Sequence, residues 1–154
     1  MKKLAVLLAL AAACHAAPPT PGTVQPAGMP ASGGSIGGAP SARTAVSGFL
    51  AAVRAEDLQA LASVWGTAAG AARNTIPREE LEKRELVMMC FLKHDRYRLV
   101  SDAESTAGQR RIEVEVTSGD VTRTTPFIAV PGPAGRWYVQ SFDMEAVRDI
   151  CAKK

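Results

Sequence analysis

Three groups of residues in this chain of 154 have the types and spacing to do chemistry. His94 followed by Asp95 offers an imidazole base beside an acid. Cys90 and His94 stand four apart, so a helix would put them on one face, with Cys151 as a third metal ligand. Glu79, Glu80, Glu82 and Glu85 form a carboxylate cluster suited to acid-base or metal work. Each also has a plainer reading. Neighbouring residues at a helix end point in different directions, so Asp95 does not orient His94, which reads as an imidazole stabilised by a helix C-terminus. A closed zinc site needs a fourth ligand that the local spacing lacks, so no metal or cofactor is expected. Cations interleave the four glutamates, which then read as a solvated helix face. Asp102, Tyr138 and Asp143 are weaker still. No residue is assigned a catalytic role, and His94 is the one candidate base.

These side chains need elements to hold them. Val46, Phe49, Leu50 and Val53 line one face of a helix from about Ala42 to Ala55. Asp57 is placed to cap a second, short helix carrying Leu58, Leu61, Ala62 and Trp65. Gly66 to Ala72 reads as a loop. Pro77 with Arg78-Glu79-Glu80 starts a third helix, supported by Glu79/Lys83 and Glu80/Arg84 pairs and running until about His94.

The period then becomes two. Strands are expected at Tyr97 to Ser101, Arg111 to Thr117, Val121 to Val130 and Arg136 to Phe142. Ala107-Gly108, Ser118-Gly119-Asp120 and the 131–135 stretch supply turns, and Pro126 suggests an edge strand or a bulge. Asp143 can cap a last helical turn reaching Cys151. Helices first and an antiparallel meander after them make an α+β domain.

What precedes the domain is different in kind. MKKLAVLLALAAAC combines Lys2 and Lys3, the apolar run Leu4 to Leu10, and small residues leading to Cys14. It resembles a bacterial lipoprotein signal, with Ala11 where Leu is preferred. The resemblance implies cleavage after residue 13, acylation of Cys14 and a membrane anchor. His15 in place of Asp after the cysteine resembles sorting to an outer membrane, where the cell has two. Residues 14–41 then form a tether: from His15 to Ala42 there is no charged side chain, and proline and glycine recur throughout. Such a segment cannot bury enough apolar surface to order itself. Treated as a coil, it would hold the domain of residues 42–154 roughly 25 to 30 Å from the membrane. Gly33-Gly34-Ser35-Ile36-Gly37 matches a nucleophile elbow in letters alone, lacking the strand and helix that motif requires.

With the leader removed, 16 Lys+Arg face 15 Asp+Glu, and there is no basic run, so nucleic acid is not an expected partner. If Cys14 is acylated, Cys90 and Cys151 remain as an even pair, and an oxidising compartment favours a disulfide between them over free thiols.

A first helical stretch reading AVSGFLAAVRAEDLQALASVW and a closing strand reading GRWYVQSFD resemble the nuclear transport factor 2-like, cystatin-like cone superfamily. The resemblance implies helices closing over a curved antiparallel sheet around a pocket, with Trp65, Met88, Phe127 and Trp137 lining it. It further implies a lipid-anchored, extracytoplasmic and non-catalytic domain that binds a small apolar ligand or a partner protein of the envelope. Relatives of the ketosteroid isomerase type make a small-molecule isomerase, dehydratase or hydrolase the alternative. A structural envelope protein acting through its outer surface is the third expectation. The oligomeric state does not follow from the sequence.

Overall fold

The computed structural model describes residues 37–152, so the leader, Cys14 and most of the 14–41 tether lie outside the described residues. The fold starts earlier than the boundary at residue 42. Gly37 and Ala39 are buried, and Ala39 exchanges two backbone hydrogen bonds with Trp137, of 2.9 and 2.8 Å.

Helix α1 spans Ala42–Ala55. Ser41 caps it by accepting from the Thr44 amide at 3.2 Å, and Glu56 stops it in the left-handed region at φ 54°. Its inner face is the expected one, with Val46, Phe49 and Leu50 fully buried. Helix α2, Leu58–Val64, begins at Asp57, whose side chain accepts from the Ala60 amide at 2.9 Å.

The expected loop after α2 is partly ordered. Strands β1, Gly66–Thr67, and β2, Gly70–Ala71, form a small hairpin, followed by a 3₁₀ turn at Ala72–Asn74. Gly66 is required there, because a Cβ would stand 2.2 Å from the Gly70 carbonyl oxygen. Helix α3, Arg78–Phe91, starts on Pro77 and ends three residues short of His94.

Strands β3 (Arg96–Glu104), β4 (Arg110–Ser118), β5 (Val121–Pro131) and β6 (Trp137–Phe142) form one antiparallel meander in the order β3-β4-β5-β6. Both outer strands carry an extra residue. Leu99 opposes Val114 and Ser101 opposes Glu113, leaving Val100 over; Ile128 opposes Ser141 and Ala129 opposes Val139, leaving Gln140 over. Such bulges bend a strand and re-aim its side chains.

Pro126 is neither on an edge strand nor at a bulge, contrary to expectation. It lies in the interior strand β5 opposite Glu113, just past the last rung with β6. Its carbonyl accepts from the Asp143 amide at 3.2 Å, and the Thr125 hydroxyl donates to the Asp143 carbonyl at 2.9 Å. The neighbouring hydroxyl thus replaces the N–H that proline lacks.

One sheet face carries Ile112, Val114, Val116, Phe127, Ala129 and Val139 against α1 as the main core. Phe49 meets Phe127 edge-on at 5.9 Å, and Phe127 stacks on Phe142 at 5.5 Å. On the opposite face Tyr138 packs with Ala71 and Val130 and donates its hydroxyl hydrogen to the Gly37 carbonyl at 3.0 Å. Asp143 accepts from the Glu145 amide at 3.0 Å and caps a 3₁₀ turn at Glu145–Val147 that runs into α4, Arg148–Ala152. Cys151 of α4 is disulfide-bonded to Cys90 of α3.

Candidate functional site

Helix α3 supplies walls to two cavities because three kinds of residue share its faces. Leu81, Glu85, Met88 and Leu92, spaced four, three and four, make the inward stripe. Lys83, Arg84 and Val87 fall to one side of that stripe, and Arg78 and Glu82 to the other.

The first cavity, of about 370 Å³, is a groove between α3 and the end of β6. Its apolar walls are Trp65, Val87, Met88, Phe142 and Met144, with Gln140 and Ser141 at one side and Lys83 and Arg84 at the other. Val87 is 50% exposed and Met144 46%, so the groove leaves apolar surface in contact with water. Gln140 reaches it because the bulge in β6 sits there. Arg84 is held by Glu80 at 2.7 Å. The expected Glu79/Lys83 pair does not form: Lys83 makes no ion pair among the described residues, and its side chain belongs to the groove.

Of the four residues expected to line a pocket, Trp65 and Met88 meet in this groove and two do not. Phe127 is fully buried behind Phe142, which takes the wall position in its place. Trp137 is half-buried against the main core at the other end of β6, five residues from Phe142, or roughly 16 Å along a strand. Phe142 and Val87 were not anticipated. Phe142 ends the predicted closing strand and Val87 begins the apolar run of α3, but neither feature distinguishes a groove wall from ordinary core.

The second cavity, of about 460 Å³, lies between α2 and the start of α3 and is lined in part by Gln59, Arg73, Arg78, Leu81, Glu82 and Glu85. Glu85 is the exception to the solvated acidic face. It is 1% exposed, and its Oε1 has no hydrogen-bond partner among the described residues. Burial pushes its carboxyl up to about 7, and the Glu82 carboxylate adds to the shift. The signal was in the spacing: Glu85 is four after Leu81 and three before Met88, in phase with the core. Glu80 and Glu82 do pair at the surface, with Arg84 and Arg78 respectively, each at 2.7 Å.

His94 is placed otherwise than expected. It lies beyond α3, is 5% exposed, and lines neither cavity. Its Nδ1 donates to the Leu92 carbonyl at 2.7 Å, since a carbonyl can only accept, and its buried Nε2 has no partner among the described residues. The ring meets Tyr97 edge-on at 5.6 Å. Burial lowers its pKa, outweighing the Leu92 hydrogen bond that raises it, so the imidazole is a neutral core residue and not a cation stabilised by a helix end. Asp95 points away, accepting from the Gly119 amide at 2.7 Å.

The remaining candidates have structural partners. Asp102 holds Arg110 at 2.7 Å, Tyr138 is tied to Gly37, and Asp143 is a cap. Cys90 and Cys151 are bonded to each other, which removes both as metal ligands. Among the described residues no three His, Cys, Asp or Glu side chains are grouped to hold a metal ion. No family model, curated protein or solved structure matches the chain.

Proposed function

We propose that the chain is a lipid-anchored, extracytoplasmic domain of the cone fold that binds a small apolar ligand in the groove between α3 and β6 without transforming it. One observation carries the binding role: Trp65, Val87, Met88, Phe142 and Met144 keep an open apolar groove where a folded domain would ordinarily close its core. Helices packed on one face of a meander with bulged outer strands are consistent with a cone. The disulfide agrees with an oxidising compartment, the leader with acylation of Cys14, and His15 after that cysteine with delivery to the outer membrane of a two-membrane cell.

A thermal-shift and native mass survey against envelope lipids tests the binding role. A bound species that raises the melting temperature, and fails to do so after Val87→Asp, is the expected result; no bound species and no shift contradicts it. Mass spectrometry of the mature N-terminus tests the anchor, which requires an acylated Cys14 as the first residue.

The enzymatic alternative rests on Glu85 and not on His94, because a carboxyl with its pKa near 7 beside a cavity can exchange a proton at neutral pH. It predicts a turnover that Glu85→Gln abolishes. A protein partner of the envelope would use the exposed Leu86 and Val87 on α3, so Leu86→Asp would release it.

A further inference from the structure

The charge around the α3 and β6 groove goes further than its apolar walls. Its lining includes two cations, Lys83 and Arg84, and no carboxylate. Arg84 is paired with Glu80 at 2.7 Å, whereas Lys83 has no ion pair among the described residues and is exposed on the groove's α3 side. An ammonium at the margin of an apolar trough attracts an anion and repels a cation, most strongly at low salt. The walls suit a flexible chain: Met88 and Met144 are unbranched and polarizable, and adapt to an occupant that is not rigid. The volume of about 370 Å³ lies at the lower end for ligand pockets, which favours one chain over two.

From this we infer that the groove binds a single-chain anionic amphiphile as a monomer, its acyl chain along Trp65, Met88, Phe142 and Met144 and its carboxylate against Lys83. This rests on the apolar binding role proposed above and adds the head group to it. The neutral margin residues Gln140 and Ser141 can hydrogen-bond the head group but do not select its charge.

Matched twelve-carbon probes separate the two claims. The full chain is titrated at low salt with dodecanoate, 1-dodecanol and dodecylammonium, all below the concentration at which they aggregate. Dodecanoate is expected to bind about tenfold more tightly than 1-dodecanol and dodecylammonium more weakly, with the differences shrinking in 0.5 M salt. Lys83→Glu, on an exposed helix position, is expected to reverse the order of the two charged probes and to change 1-dodecanol binding less than that of either. Equal binding of dodecanoate and 1-dodecanol, or a dodecanoate preference that survives Lys83→Glu, overturns the head-group inference and leaves the apolar role standing. No binding of any probe overturns both. Vesicles of anionic phospholipid that bind the chain through Lys83 while monomeric dodecanoate does not would also overturn it, assigning the surface to a bilayer.

Discussion

Cys90 near the end of α3 and Cys151 in α4 are disulfide-bonded with their Cα atoms 5.0 Å apart, across a sequence separation of 61. The bond fastens the last helix to α3, which supplies Lys83, Arg84, Val87 and Met88 to the groove. Val147 and Ile150, which lie between Met144 and Cys151 in the sequence, are buried in the main core, so the segment that carries the Met144 wall is anchored at both places. Closing a loop of that length removes unfolded-state freedom worth roughly 2 to 4 kcal/mol. Urea denaturation with and without reductant should therefore differ by about that amount, and Cys90→Ser should reproduce the reduced protein. Coincident transitions would show that the bond contributes nothing.

Glu85 and His94 set opposite pH dependences. The Glu85 carboxyl is raised from 4.5 to about 7 in the fold. Its contribution is therefore intact below pH 4.5 and lost as the pH rises toward 7, because the unfolded chain releases the proton first. His94 is lowered below 6.5, so its contribution is present above pH 6.5 and lost as the pH falls. Replacing Glu85 by Leu should remove the first effect alone. The gain in stability at pH 8 should exceed the gain at pH 4.5 by on the order of 3 kcal/mol. Chemical denaturation at both pH values measures this, and a gain independent of pH would mean that Glu85 is not buried as a carboxyl.

Tyr138, 2% exposed, reaches Gly37 across 101 residues with a 3.0 Å hydrogen bond. Removing the hydroxyl in Tyr138→Phe leaves the buried Gly37 carbonyl without it, a loss of roughly 1 to 2 kcal/mol. Proteolysis should then cut ahead of α1 more readily. An unchanged cleavage pattern and stability would mean that residues 37–41 are not held to the sheet by this bond.

The caps at Asp57 and Asp143, the face of α1 and the order of the meander were all legible in the sequence, because each is a local pattern with a local cause. The groove was only half legible. Met88 could be identified as a large apolar residue on a helix face and Trp65 as one in phase with α2, although α2 stops at Val64 and Trp65 is extended beside Val139; whether Phe127 or Phe142 forms the wall depends on how two rings stack between strands. Trp137 has the right type at the wrong end of β6. Glu85 was misplaced for a different reason: charge composition outweighed phase, although its spacing from Leu81 and Met88 marked it as inward. His94 looked like a helix end because the apolar run of α3 continues to Leu92, yet the helix stops at Phe91 and the ring folds back onto Tyr97.

The groove can be watched directly through its methyl groups. Met88 and Met144 line it, whereas Met89 packs against the main core and lines neither cavity. In methionine-methyl NMR spectra of the full chain, monomeric dodecanoate should shift the Met88 and Met144 signals in a saturable way and leave Met89 nearly in place. Val87→Asp should suppress both shifts. Unmoved Met88 and Met144 signals at saturating dodecanoate, or equal shifts at Met88, Met89 and Met144, would contradict a ligand in this groove.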